Sequence, residues 1–284
     1  MNGRILITDS GCDLDSNQAQ ALEITLVPMT VRFGEEEYLS GVSLSKDEFY
    51  NKLATNKELP TTSQPTPYDF ENVYQKVKAD GNEAIVLCVS SALSGTYQSA
   101  CIAADGYEDC IYVVDSKAVS VAQKILLDYA ISLRQQGLSA NMIATALEDK
   151  KESICAFGAV DTLEYLIKGG RLSKAAGAVG SMLGIRPVLT LREGALDVAG
   201  KARGPKAAIS MTNKLMEDTG IDFSMPYAVG YTGNDPAITE AFLAAPDSAL
   251  ANRSVPVYQV GSTVGTHAGP GLFIAAFFKK LNTH

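Results

Sequence analysis

Three short runs of aliphatic and β-branched residues, RILITDS (4–10), EAIVLCVS (83–90) and CIYVVDS (110–116), constrain this chain most. Each reads as a buried strand, and each leads towards a segment with helical spacing. Strands that alternate with helices predict a parallel sheet covered on both faces, because a parallel neighbour is reached only through a crossover. The runs end at Asp9-Ser10, Ser90-Ser91 and Asp115-Ser116, on the carboxyl edge where such sheets bind ligands. Asp and Ser also cap helices, so capping and ligand contact both stand open for Asp9, Ser10, Asp115 and Ser116.

Between these runs the pattern is regular. DLDSNQAQAL (13–22) is helical, with Asp13 placed to cap it. ITLVPMTVRF (24–33) is apolar and β-branched, and FGEEEYLSGV (33–42) predicts a small hairpin turning at Gly34. SKDEFYNKL (45–53) has helical spacing, with Ser45 as N-cap and Glu48 at the capping-box position. PYDFENVYQKVKADG (67–81), SGTYQSACIAADG (94–106) and KAVSVAQKILLDYAISLRQQG (117–137) predict three more helices, the last amphipathic and stopped at Gly137.

Near Ser153 the pattern changes. ICAFGAV (154–160) is a strand, LEYLIKGG (163–170) a short helix, and IRPVLTLREGALDVAG (185–200) a hairpin turning at Glu193-Gly194. YAVGYTG (227–233) and VPVYQVG (255–261) are strands around the helical DPAITEAFLAA (235–245), and GPGLFIAAFFKKL (269–281) reads as a closing helix. The expected architecture is α/β in two domains. Residues 1–154 form a Rossmann-like parallel sheet with helices on both faces and a small hairpin insertion near 28–45. Residues 155–284 form an α+β domain with a mostly antiparallel sheet, and the ligand site falls between the two.

Composition excludes several function classes. With 46% hydrophobic and 20% charged residues in 284, the chain is a folded globular protein with ample core. No apolar run reaches the roughly 18 residues of a membrane span, and the N-terminal ILI, followed at once by Asp9, Asp13 and Asp15, does not make a signal peptide. Five cysteines without a C-x-x-C pair suggest neither a disulfide framework nor a zinc site, so no metal and a reduced cytoplasmic setting are expected. The net charge of −8 argues against nucleic acid as a partner. Yet Glu164 to Lys206 holds eight Lys or Arg against three acids, a candidate docking surface or simply a solvated face.

Three uncharged loops rich in hydroxyls point to an anionic head group held without hydrolysis: TTSQPTP (61–67), SSALSGTYQSA (90–100) and GSTVGTHAGPG (261–271). In the first, Pro65 forces an extended backbone and removes a donor, leaving the hydroxyls of Thr62 and Ser63 as donors. The second leads into a helix, so Ser94 and the amides near Gly95 and Thr96 lie at an N-terminus that favours an anion, or Ser94 simply caps it. In the third, His267 follows Thr266 and precedes Gly269-Pro270-Gly271, where the glycines let the backbone approach a ligand closely.

In order and spelling these loops resemble the DegV family of bacterial fatty-acid-binding proteins. ITDSGCDL (7–14), VVDSKAVS (113–120), YLIKGGRLS (165–173) and GIRPVLTLREG (184–194) match as well, so the resemblance runs from about Ile5 to Phe278. It implies a carrier, not an enzyme in its own right, with no catalytic residues and no cofactor beyond a bound long-chain fatty acid. The acid's carboxylate is expected on Thr62, Ser94 and His267, with Ser63, Gly95, Thr96 and Thr266 as neighbouring loop candidates. Arg171 and Arg203 match arginines at the family's pocket mouth that serve a partner, the catalytic subunit of a fatty acid kinase, which would convert the carboxylate to an acyl-phosphate for phospholipid synthesis. No transmembrane segment is expected, only transient contact with a membrane surface. For the tail, AVGSMLGIRPVL (178–189), with the adaptable Met182, and GLFIAAFF (271–278) have suitable character, although each also reads as ordinary core.

Two other readings compete. A hydrolase or acyltransferase could pair Ser94 with His267, although no G-x-S-x-G elbow is present. A nucleotide-dependent enzyme would need a phosphate loop, and GAVGSMLG (177–184) lacks the lysine.

Overall fold

The computed structural model describes residues 3–172 and 184–280. Strand β1 (Arg4–Asp9) leads to helix α1 (Ser16–Ala21), β2 (Ile24–Val27), β3 (Thr30–Phe33), β4 (Glu36–Leu39), α2 (Lys46–Thr55) and β5 (Thr61–Ser63). Next come α3 (Pro67–Ala79), β6 (Glu83–Cys88), α4 (Thr96–Ala103), β7 (Ile111–Asp115), α5 (Val121–Gln135) and α6 (Ala140–Lys151). The remainder is β8 (Ile154–Ala159), α7 (Glu164–Lys168), β9 (Ile185–Arg192), β10 (Ala195–Arg203), α8 (Gly204–Thr219) and β11 (Tyr227–Tyr231). The last described elements are α9 (Ala237–Leu243), β12 (Val257–Gln259), α10 (Ser262–Ala268) and β13 (Phe273–Phe278).

The first sheet is parallel, in the order β2-β1-β6-β7, with Leu6 beside both Ile24 and Ile85. Helices α3 and α4 bury Phe70, Tyr74 and Ala100 on one face, while α5 and α6 bury Ile125, Leu126 and Leu147 on the other. The second sheet runs β10-β9-β8-β13-β11-β12 and is antiparallel except for the β11–β12 pair. The fold is therefore the expected α/β arrangement with a mostly antiparallel second sheet. Helix α5 was expected to be amphipathic, but its first seven residues are all buried. It packs on both sheets: its hydrophobic cluster includes Leu6 and Ile85 from the first, and Ala156, Ala228 and Ala276 from the second.

The hairpin turning at Gly34 forms as expected, with φ of +57° at the glycine. Its third partner was not foreseen. The hydroxyl loop after α2 adds strand β5, placing Thr62 opposite Val31.

Three local expectations are corrected. Asp15, not Asp13, caps α1, accepting from the Gln18 amide at 2.8 Å in a reciprocal capping box. The segment 262–268 is a helix, not a loop. Its Gly265 is there because a Cβ would come within 2.6 Å of the Phe49 ring and 2.8 Å of the Tyr50 hydroxyl. Finally, 273–278 is a central strand, not a closing helix. Flanked by β8 and β11 and buried on both faces, it has a continuous apolar pattern, which periodicity cannot distinguish from a buried helix. Much of the segment 178–189 proposed for tail contact, Met182 included, lies outside the described residues.

Candidate functional site

The carboxyl ends of β1 and β6 face the second sheet across a cavity of about 870 Å³, a figure that includes its open mouth. Val89, Val119, Ala156 and Gly158 line it, as do Leu166, Leu189, Leu191 and Leu196. Thr62, Ser94, Arg171 and His267 are the polar residues at one region of this wall.

Each reaches the cavity by a different route. Strand pairing with β3 fixes Thr62 on β5. His267 is carried by α10, whose Thr263, Val264, His267 and Ala268 share the lining face, as spacings of three to five residues require. The imidazole Nε2 lies 2.7 Å from Thr62 Oγ1, joining the first and third hydroxyl segments. Its Nδ1 is buried without a hydrogen-bond partner among the described residues and backs onto Gly169, where a Cβ would stand 2.3 Å away. Burial, and secondly the charge of Arg171, push the His267 pKa down to about 4, so the ring is neutral at pH 7.

Ser94 does not occupy the N-cap position of α4, which belongs to Gly95. Its hydroxyl stands 2.9 Å from that of Thr96 and accepts from the Thr96 amide at 3.3 Å, shaping the turn while facing the cavity. Thr96 is buried. Gly95 is packed under Gln64, whose Oε1 would be 2.2 Å from a Cβ there, while Gln64 Nε2 donates to Ser99 at 3.1 Å.

The other expected residues lie elsewhere. Ser63 is exposed beside Thr62. Thr266 is buried and donates to the Ser262 carbonyl at 2.9 Å, so its hydroxyl serves the helix and does not line the cavity. Arg203 is exposed at the start of α8, outside the cavity lining. Arg171, expected near the pocket mouth in a partner-facing role, lines the cavity, and desolvation draws its pKa below the usual value.

Two buried carboxylates outside the cavity lining hold loops that contribute to it. Asp9 accepts from the amides of Val89 at 2.7 Å and Gly11 at 2.8 Å. Asp13 accepts from the Gly261 amide at 2.8 Å and from the Ser120 hydroxyl, tying the first strand's edge to the start of α10. Burial raises both to a pKa of about 6. The sequence hint for Asp9 was its position at a strand end, which equally suits a cap, and Asp13 read only as a helix cap. Among the described residues no group of acidic, His and Cys side chains could hold a metal, and no helix is long and apolar enough to cross a membrane.

A parallel sheet, a mostly antiparallel sheet and the small β4-β3-β5 sheet surround a predominantly apolar cavity. The chain belongs to the DegV family, whose sequence model matches residues 5–280. It is 34% identical over 270 residues to a DegV domain-containing protein of Caldanaerobacter subterraneus subsp. tengcongensis, covering 93% of this chain and 95% of that one. A DegV family protein from Thermus thermophilus, solved for its fatty acid binding, superposes with a TM-score of 0.84 at 30% identity, covering 97% of this chain and 99% of that one. The Fak B3 protein of the Streptococcus pneumoniae fatty acid kinase, loaded with linoleic acid, shares the fold at a TM-score of 0.84 and 21% identity, with 99% and 100% covered.

Proposed function

We propose that this protein binds a long-chain fatty acid, with the tail in the apolar cavity and the carboxylate on Thr62, Ser94 and His267. The observation that carries this reading is the joined polar group of Thr62, His267, Ser94 and Arg171 in a predominantly apolar wall. Burying a tail contributes roughly 0.8 kcal/mol per methylene before ordering costs, so a long acid gains on the order of 10 kcal/mol. A neutral imidazole and two hydroxyls then orient the head group, with the Arg171 guanidinium in the same corner. Gly95 and Thr96 shape the turn that carries Ser94, while Ser63 and Thr266 stay outside the cavity lining.

The fatty-acid-binding relatives support the ligand class, and the kinase-associated one supports a role as a carrier that presents the acid to a kinase's catalytic subunit for acyl-phosphate formation. On this reading the protein is not itself an enzyme, works in the cytoplasm, and divides near residue 154 into two domains that share the cavity. Arg203 and the exposed basic stretch around it would meet the partner.

The hydrolase alternative has less support. Thr62, not Ser94, is the hydroxyl bonded to His267, and the far ring nitrogen faces Gly169 instead of an orienting carboxylate.

Native mass spectrometry of the purified protein, followed by denaturing extraction and lipid identification, tests the proposal. A stoichiometric fatty acid is expected. A protein that is empty and takes up no fatty acid of any length would overturn it.

A further inference from the structure

Arg171 is distinguished from the other basic residues of its stretch by what its guanidinium holds. Its Nε donates to the carbonyl of Leu93 at 3.1 Å, and its Nη1 donates to the carbonyl of Gly169 at 2.7 Å. These two carbonyls belong to opposite walls of the polar corner. Leu93 immediately precedes Ser94 on the loop after β6, while Gly169 is the backbone against which the His267 ring rests. The arginine's own position is set independently, because its amide and that of Leu172 both donate to the Leu166 carbonyl, at 2.9 and 3.1 Å, as the chain leaves α7. The side chain is half-buried and lines the cavity.

We propose that Arg171 is a positioning residue for the ligand's anionic group: it clamps the Ser94 wall to the His267 wall and so fixes the separation of the groups that receive the carboxylate. A planar guanidinium fixes two divergent donors at a set separation, which suits it to span two carbonyls. A lysine ammonium on a flexible stem carries the same charge but has no such fixed geometry. The clamp also sets the electrostatics of the corner, since the guanidinium charge contributes to keeping the imidazole neutral. The inference rests on the fatty-acid reading for its ligand, but the clamp exists without one.

Two measurements on the isolated protein test it, with no partner present. The first compares affinity for the co-purifying fatty acid and for its methyl ester in wild type, Arg171→Lys and Arg171→Ala. Both variants should bind the acid at least about tenfold more weakly, as expected when a charge-assisted bond to each wall is lost, with the ester changed much less. If Arg171→Lys binds the acid like wild type, charge alone suffices and the clamp is refuted. It is refuted equally if both variants bind normally, which would leave Arg171 to docking. The second measurement is amide hydrogen exchange of the ligand-free proteins. Exchange should quicken at 93–96 and 169–171 in both variants while α5 stays protected, and unchanged exchange at those segments would overturn the clamp. Should wild type bind no fatty acid at all, the functional reading fails, yet the exchange result still decides the clamp.

Discussion

Gly169→Ala probes how tightly the cradle behind His267 is built. Gly169 ends α7 with a φ of −75°, a conformation alanine adopts freely, so the backbone resists nothing. Were there room for the methyl, the change would stabilise the protein by about 0.4–1 kcal/mol through the unfolded chain alone. There is no room: the new Cβ would stand 2.3 Å from His267 Nδ1 and 3.0 Å from the Tyr165 carbonyl oxygen. Relief requires the ring to move by about 1 Å, since contacts of this kind become favourable only near 3.5 Å. Nε2 is already 2.7 Å from Thr62 Oγ1. A shift of that size either stretches this bond beyond hydrogen-bond range or drives the ring against the threonine, and both disturb the polar corner. Overpacking costs about 1–3 kcal/mol, against which the backbone gain is the smaller term, so the variant should be less stable by about 1–2 kcal/mol. Affinity for the fatty acid should fall about tenfold, and that for the methyl ester less. Urea unfolding and calorimetric titration measure the two effects. A variant stabilised by the backbone amount, with wild-type affinity, would refute the cradle.

Other consequences are as specific. His267 takes a proton near pH 6.5 when unfolded but only near pH 4 in the fold, so between those values the unfolded state binds more protons and wild type loses stability as pH falls. His267→Gln should remove that loss, worth up to about 3 kcal/mol across the window, and parallel pH profiles of the urea midpoint in the two proteins would contradict it. Gly95→Ala should weaken acid binding by displacing Gln64, and combining it with Gln64→Ala should restore part of the loss; strictly additive effects in calorimetry would show that the two do not touch. Arg203→Ala, an exposed change, should leave lipid affinity intact and slow acyl-phosphate formation with the kinase partner in a coupled assay, whereas weakened lipid affinity would assign Arg203 to the pocket.

What the sequence revealed, and what it hid, follows from how local each signal is. The strands ending at Asp9, Cys88 and Asp115 announced the parallel sheet, because burial on both faces leaves an unbroken apolar run bounded by polar residues. The hairpins at Gly34 and Glu193-Gly194 were legible from turn chemistry alone, since their glycines adopt positive φ. The same unbroken apolar run misled at 273–278, where a strand buried between two neighbours has the composition of a helix core. Gly265 misled in the opposite sense: a glycine suggests a loop, but here it lets α10 lie against Phe49 and Tyr50, residues more than 200 positions away. The site shows the same limit. Thr62, Ser94 and His267 became candidates through the family resemblance, but the 2.7 Å contact that joins residues 62 and 267 depends on β5 meeting α10 across the fold. Arg171 is the sharpest case. In the sequence it is one cation in a basic stretch, open to a surface or a recognition role, and only the resemblance sets it near the pocket mouth. Only the return of the chain after α7 brings its fork between two carbonyls, 2 and 78 residues away, that flank the polar corner, and so makes it part of the wall.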